Sequence, residues 1–360
     1  GMFSGAAQYR YTPDERTVFK LYAGYDRTSF SNYADADRHL FALGENNVYL
    51  NTTFRKRAAS GWNWFFGAAY SFYDRRVGGA VTGGDAWSER QQELHLKVRS
   101  FRQFTPWLRL DAGVETFIRS YRDYYRFELL YDENRMYPTI CAGFLSSIFY
   151  LSEHFKTELS FRPEYVSLNR RMNWSPRAAV SYAWNRLSIS VVAGQYTQLT
   201  ENKYLIKNTA LPSNICRQTL FSLQYEQSGR FYKAEFYYKN YKRLELSVPQ
   251  GMVPDGYGHS KGIDLYFCDN ALWKNFEYRL SYSYNLSKRK YREYTELTVP
   301  QYATRHNVSL VLKYSVPRLR TIFSVTDRLA SGRPYHNPEL PGLMNDEVKP
   351  CHSLDLGITV

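Results

Sequence analysis

Cysteine is scarce in this 360-residue sequence: Cys141, Cys216, Cys268 and Cys351 are scattered, with no CxxC and no zinc-type spacing. That excludes a zinc module, gives no sign of a disulfide framework, and leaves packing as their expected role. Long apolar runs are missing too. No stretch of about 18 apolar residues occurs, so no membrane-spanning helix is expected. Seven histidines form no HExxH or other helical metal pair. Acidic residues number 34 against 47 Lys and Arg, a formal net charge of +13. The positive surplus is not gathered in one helix or tail, so a nucleic-acid partner is not expected.

Aromatic residues are abundant. Tyr (33), Phe (22) and Trp (7) make up 17% of the chain, yet mean hydropathy is negative. The apolar residues stand singly, with a polar residue between neighbours. From Phe276 to Ser287 the set Phe276, Tyr278, Leu280, Tyr282, Tyr284, Leu286 interleaves with Glu277, Arg279, Ser281, Ser283, Asn285, Ser287. Successive side chains of a strand point to opposite faces, so one face is apolar and the other polar. The pattern recurs from Leu108 to Arg119, from Phe155 to Arg162 and around Val308 to Tyr314. Trp62, Trp64, Phe66, Ala68, Tyr70 and Phe72 make the most aromatic face. About 17 such segments can be traced, the first at Phe3–Arg10 and the last at Ser353–Val360. The alternation, the aromatic load and the low hydropathy predict an all-β, antiparallel up-and-down transmembrane β-barrel.

Connection lengths support this. Short turns are expected at Pro13-Asp14, Ala58–Gly61, Thr105-Pro106, Ser152–His154, Asn185-Arg186, Ser228-Gly229, Asn270–Lys274 and Pro317. Long loops are expected near 27–46, 74–92, 121–136, 166–173, 199–213, 243–258, 288–304 and 329–350. Strict alternation of short and long is the layout of a barrel with tight periplasmic turns and long outward loops. Trp62, Trp64, Trp107, Trp174 and Trp184, with Tyr150 and Tyr165, fall at or near segment ends, where amphipathic rings suit the headgroup level.

Catalytic chemistry finds no anchor: no nucleophile, base and orienter come together, so no enzyme and no cofactor are expected. His95 falls on a polar stripe and reads as a hydrated interior residue, while His154 lies in a turn and His39 in a loop. Asp35 and Asp37 are one carboxylate pair, short of a calcium cage. The polar faces carry Lys97, Arg99, Arg109, Arg119, Arg162, Arg177, Lys233 and Arg279 against Glu93, Asp111, Glu115, Glu158, Glu235 and Glu277. These are the candidate lumen-lining residues, expected to pair between adjacent strands.

The last third carries more specific signals. Gly256-Tyr257-Gly258-His259-Ser260-Lys261-Gly262-Ile263-Asp264-Leu265 is followed by Tyr282-Ser283-Tyr284, Arg305-His306-Asn307 and Ser331-Gly332-Arg333-Pro334-Tyr335. Upstream stand Trp174-Ser175-Pro176-Arg177 and Gly194-Gln195-Tyr196-Thr197-Gln198. In this order they resemble the barrel of a TonB-dependent receptor, most of all the Bacteroidetes type. The resemblance covers essentially residues 1–360 and implies a 22-stranded parent with an N-terminal plug and a TonB-contacting box, neither seen here. It also implies a bacterial outer-membrane location, lipid around the wall, the TonB complex as a partner through the missing plug, and uptake of a scarce ligand. That ligand could be a siderophore, a cobalamin-like corrinoid, a glycan or a peptide; the residues do not choose. The alternative is a plug-less passive porin or surface-binding barrel.

The chain opens with Gly1-Met2-Phe3 directly in a strand pattern, with no export signal. Processing or truncation is therefore expected. The first strand enters a short turn and the seventeenth leaves a long loop, so both descend. Strands 4 to 20 of 22 is the simplest numbering, and it leaves two unpaired edges.

Overall fold

A computed structural model describes residues 1–33, 40–79, 85–127 and 130–360. The loop residues Asp35, Asp37 and His39 lie outside the described residues. The strands are β1 (Met2–Asp14), β2 (Thr17–Tyr33), β3 (Leu40–Arg57), β4 (Asn63–Gly79), β5 (Asp85–Thr105), β6 (Leu108–Phe127) and β7 (Leu130–Met136). They continue with β8 (Thr139–Tyr150), β9 (Phe155–Val166), β10 (Arg171–Trp184), β11 (Leu187–Gln198), β12 (Asn214–Gln227), β13 (Arg230–Val248) and β14 (Gly251–Asp269). The last are β15 (Phe276–Tyr291), β16 (Tyr294–Thr298), β17 (His306–Val316), β18 (Thr321–Ala330), β19 (Pro334–Tyr335), β20 (Asp346–Glu347) and β21 (Cys351–Thr359). Nineteen of them form one antiparallel sheet, and β19 pairs with β20 separately. Within the large sheet β7 and β16 are short returns at hairpin tips, so the number of long strands matches the seventeen segments read from the sequence.

The chain divides into two compact units. One holds Gly1–Ser147, Ser160–Trp174 and Glu201–Leu211; the other holds Ile148–Leu159, Ser175–Thr200 and Pro212–Val360. In each, neighbours in sequence pair antiparallel, and the parity of a meander puts alternate connections at opposite ends. In the first unit the turns after β3 and β5 therefore share an end, and the connections after β2 and β4 share the other. In the second unit the turns after β10, β12 and β14 share an end in the same way.

Side-chain alternation follows the sequence reading. Phe276, Tyr278, Leu280 and Tyr282 on β15 sit opposite Tyr314, Leu312, Leu310 and Val308 on β17. Glu277, Ser281 and Ser283 sit opposite Lys313, Ser309 and Asn307 on the other face. The apolar face stays uncovered: Val114 is 60% exposed and Ile118 48% exposed in mid-strand. A sheet face of this kind in water would be an aggregation surface, whereas lipid is its natural solvent. Cys141 belongs to it, exposed and accepting a weak hydrogen bond from Thr116 Oγ1, and Cys351 is exposed as well. Exposed as they are, these two are not the packing residues that sequence reasoning expected. All four cysteines are free thiols. Among the described residues no helix is long and apolar enough to cross a membrane.

The long loops expected near 27–46, 74–92, 121–136 and 243–258 are the main correction, whereas those near 199–213 and 329–350 are largely connections as expected. Strands β2 to β6 run for 17, 18, 17, 21 and 20 residues, whereas about 9–11 residues cross a bilayer core. The rest of each hairpin continues the ladder into the stretches expected to be loops. Between β13 and β14 only two residues separate the paired Val248 and Gly251. Sequence reasoning missed this because both faces turn polar there, while backbone pairing does not depend on having an apolar face.

Within each unit the buried apolar residues gather toward the end of its own long hairpins. In the first unit they include Tyr121, Met136, Ile140, Val166, Tyr204, Leu205 and Leu211; in the second, Leu244, Leu246, Met252, Tyr291 and Ala303. Within residues 201–211, which hold the one-turn helix α1 (Asn202–Leu205), Tyr204, Leu205 and Leu211 are buried while the others stay partly or fully exposed. Asn202 Nδ2 donates to Gln91 Oε1 at 2.9 Å, and Asn169 Nδ2 donates to the Leu211 carbonyl at 2.6 Å.

The opposite end is held by tight turns. Asp269 is 1% exposed and accepts the backbone N–H groups of Ala271 and Leu272 at 2.8 and 2.9 Å. Gly229 turns the β12–β13 hairpin at φ +77, where a Cβ would stand 2.3 Å from Asn270 Oδ1, so only glycine fits. Every residue of β1 is exposed, and so is every residue of β21 except Gly357.

Candidate functional site on the polar face

In the first unit the polar face is a ladder of ion pairs. Register places Lys97 opposite Glu115 and Glu93 opposite Arg119, on β5 and β6. Glu115 is the hub. Its Oε2 accepts from Lys97 Nζ at 3.1 Å and stands 3.4 Å from His95 Nε2, while Oε1 accepts from Arg162 Nη2 at 2.8 Å. Arg162 also donates to Glu164 at 2.5 Å. Arg99 grips Asp111 with two nitrogens, Arg119 pairs with Glu93, and Arg75 pairs with Glu45 at 2.5 Å. Arg109 reaches Asp111 only at 4.0 Å and lies instead 4.2 Å from the Phe101 ring centroid. Eight of the candidate residues thus come together: Glu93, Lys97, Arg99, Arg109, Asp111, Glu115, Arg119 and Arg162. Glu158 stands four residues before Arg162 on β9 and so on the same strand face. His95 is not simply hydrated, for its ring stacks on Phe117 at 4.0 Å.

The second unit is different. Lys233 pairs with Glu235 at 3.0 Å and Arg279 with Glu277 at 2.6 Å, each along one strand rather than between strands. The expected cross-strand pairing fails here because the residues opposite are not acidic: Gln224 and Tyr266 flank Lys233, and Cys268 and Val311 flank Arg279. Arg177 makes no ion pair among the described residues; its guanidinium lies 4.3 Å from the Tyr196 ring centroid. It gets there by crossing Gly194, its register partner, where an added Cβ would stand 2.8 Å from Arg177 Cγ.

The same arrangement recurs on β13 to β15. Tyr241, Gly258 and Arg289 are consecutive register partners, and Arg289 lies 4.2 Å from the Tyr241 ring centroid across the glycine. Lys239 Nζ stands 5.0 Å over Tyr237. Sequence reasoning missed Lys239, Tyr241 and Arg289. The glycines of the Gly256-x-Gly258 run were visible, but not which cation would cross them.

Aromatic rings mark the short-turn end. In the first unit Trp62 stacks on Trp64 at 6.0 Å and meets Phe104 edge-on at 5.6 Å, with Trp107 exposed beside the next turn. In the second, Trp184 and Trp273 are exposed at turns, Trp273 being a residue the sequence reading did not pick. Trp174 is exposed at the other end and stacks on Phe161 at 5.6 Å. The polar face of the first unit also holds a basic cleft of about 530 Å³ beside the β1–β2 and β3–β4 turns, with Arg16, Arg55, Lys56 and Arg57 in its wall. Among the described residues no cluster of His, Cys, Asp and Glu could hold a metal ion.

No family model and no curated protein sequence matches this chain. Solved structures do. The copper transporter OprC matches with a TM-score of 0.78 at 12% identity, over 99% of this chain and 63% of that one. The siderophore receptor PirA from Acinetobacter baumannii gives 0.77 at 10% identity, over 99% and 64%. The ferric yersiniabactin uptake receptor FyuA from Yersinia pestis gives 0.76 at 12%, over 99% and 62%. The fold is the barrel fold of TonB-dependent receptors. This is the fold that the sequence resemblance implied, and the chain spans less than two thirds of the length of the structures it matches. The match is one of fold, and those structures belong to transporters and receptors rather than enzymes.

Proposed function

We propose that this chain forms the wall of a TonB-dependent receptor in a bacterial outer membrane, of the Bacteroidetes type, and serves uptake of a scarce ligand. The observation that carries the reading is the uncovered apolar strand face, in a fold shared along 99% of the chain with a copper transporter and siderophore receptors. Lipid solvates that face, and the tryptophans at the turns sit at headgroup level. The polar face lines the lumen, where paired charges remain hydrated or meet a plug. Residues 1–360 are all wall in this reading; the plug and the TonB-contacting box belong to the whole receptor. Ligand capture falls to the strand-built hairpins at the long end, whose rigidity favours a preformed site.

Two measurements test this. The chain refolded in detergent should migrate faster on an unheated gel than after boiling, and in cells should fractionate with the outer membrane. Uptake by the full-length receptor should vanish in cells lacking TonB. Uptake unchanged without TonB would favour the passive barrel, and a water-soluble chain would refute the membrane reading.

A further inference from the structure

The polar face of β13 to β15 is unlike the ion-pair ladder at two of its cations, Lys239 and Arg289, which have no carboxylate partner among the described residues. Register gives two adjacent rows on that face. One is Tyr241, Gly258 and Arg289; the other is Lys239, Ser260 and Ser287. The rows are about 7 Å apart along the strands, and β13 and β15 are about 10 Å apart across β14. The next row, Tyr237, Gly262 and Asn285, holds no acid either. Toward the hairpin tip stand Glu245, which holds Arg292 at 3.1 Å, and Glu296 on β16, two residues from Thr298, the register partner of Arg289. In the other direction acids first occur in the row after that of Tyr237, at Glu235 and Asp264. Both are engaged, Glu235 with Lys233 at 3.0 Å and Asp264 as acceptor from Ser283 at 2.6 Å.

Stacking on a ring positions a cation without cancelling its charge. Arg289 lies over the Tyr241 ring at 4.2 Å, with Tyr291 and Tyr302 at 5.6 and 5.8 Å. Its buried Nε has no hydrogen-bond partner, and neither does the Oγ of Ser287, a residue 5% exposed. An unsatisfied buried donor is costly unless something accepts from it. Lys239 and Arg289 are themselves only half-buried, so a solute can reach them. Two ring-supported cations with no ion-pair partner among the described residues, beside an unused hydroxyl, form a receptor for an anion.

We propose that Lys239 and Arg289 bind a carboxylate- or phosphate-bearing ligand, with the Ser287 hydroxyl as a further donor and Tyr241 as the platform that fixes Arg289. The proposal rests on the reading of the polar face as a ligand-accessible lumen. Gly258 is a positioning residue in it. A Cβ there would stand 2.5 Å from the Lys288 carbonyl and 2.8 Å from Arg289 Cγ, displacing the arginine from the ring.

The test is titration calorimetry on the full chain refolded in detergent, using citrate and pyrophosphate in separate runs at constant ionic strength, with glucose as a neutral control. Binding of citrate alone assigns a carboxylate ligand, and of pyrophosphate alone a phosphate ligand. Each of Lys239→Gln and Arg289→Gln should weaken binding about tenfold, as expected for loss of one charged hydrogen bond. Arg289→Lys should recover part of it, and Arg318→Gln, in a turn, should change nothing. If Arg289→Gln does not refold, Lys239→Gln alone decides, since that side chain only lies over Tyr237. A refolded barrel that binds neither anion, or binds equally well in both variants, overturns the site and leaves the membrane barrel standing. A wild-type chain that shows no heat-modifiable migration overturns the barrel reading and the site with it.

Discussion

The polar faces of the two units solve one electrostatic problem in two ways. In the first unit Arg75, Arg90, Lys97, Arg99, Arg119 and Arg122 each meet a carboxylate on a neighbouring strand, with Glu115 shared among Lys97, Arg162 and His95. In the second, Arg177, Lys239 and Arg289 lie on tyrosine rings. Saturated charge ties strands together and leaves little for a ligand. Charge supported by rings keeps its full attraction for an anion. Strand length does not follow the same division: β2 to β6 run for 17 to 21 residues, β10, β11 and β12 for 14, 12 and 14, but β13 and β14 for 19 each.

Removing the hub is the strongest way to break this contrast. Glu115→Ala leaves Lys97 and Arg162 without their shared carboxylate in a half-buried setting, and should cost about 3–5 kcal/mol. Lys239→Ala, which loses only a ring contact, should cost about 0.5–1 kcal/mol. Urea unfolding of the refolded chain measures both; equal losses would erase the distinction.

The apolar faces should behave alike in the two units. Val114→Arg and Leu280→Arg should each cost about 2–4 kcal/mol near mid-membrane. Ser281→Arg, on the opposite face of the same strand, should be nearly neutral in the same titration. A costly Ser281→Arg beside a harmless Leu280→Arg would mean that the faces had been assigned the wrong way round.

Glycine sharpens the comparison further. Gly258→Ala forces Arg289 off its ring and should cost about 1–3 kcal/mol. Gly44→Ala, where a new Cβ meets nothing within 4 Å, should stay within about 0.5 kcal/mol. Thermal unfolding of the two variants reads the difference.

The smallest effect lies in the outer β19–β20 sheet of the second unit. Hydrogen bonds from the Tyr335 hydroxyl, the Asn337 amide and the Glu347 backbone N–H hold the Asp346 carboxyl below the usual carboxylate range. A depressed folded pKa gives stability that is present above the unfolded value, about 3.9, and lost as pH falls through the folded value. Proteolysis between residues 331 and 350 by an acid-active protease should therefore quicken below about pH 4, and less so in Asp346→Asn.

Much of this was legible because a barrel strand reports its two faces every second residue. The apolar run from Phe276 to Leu286, the seventeen long strands and the short turns needed no tertiary information. The polar ends of the hairpins were misread as loops, since a strand with two wet faces has no period to see. Register was legible only where turns are tight. Two residues, Asn185 and Arg186, join β10 to β11, and counting back from them places Arg177 opposite Gly194. Ser228 and Gly229 likewise place Cys216 opposite Tyr241. Between β11 and β12 the fifteen-residue connection carries no such rule, and only the folded chain sets Tyr196 opposite Cys216. Local chemistry therefore determined which face each side chain occupies, because period two is a property of one strand. Which cation crosses which glycine to reach which ring is a property of neighbouring strands, and tertiary pairing decided it.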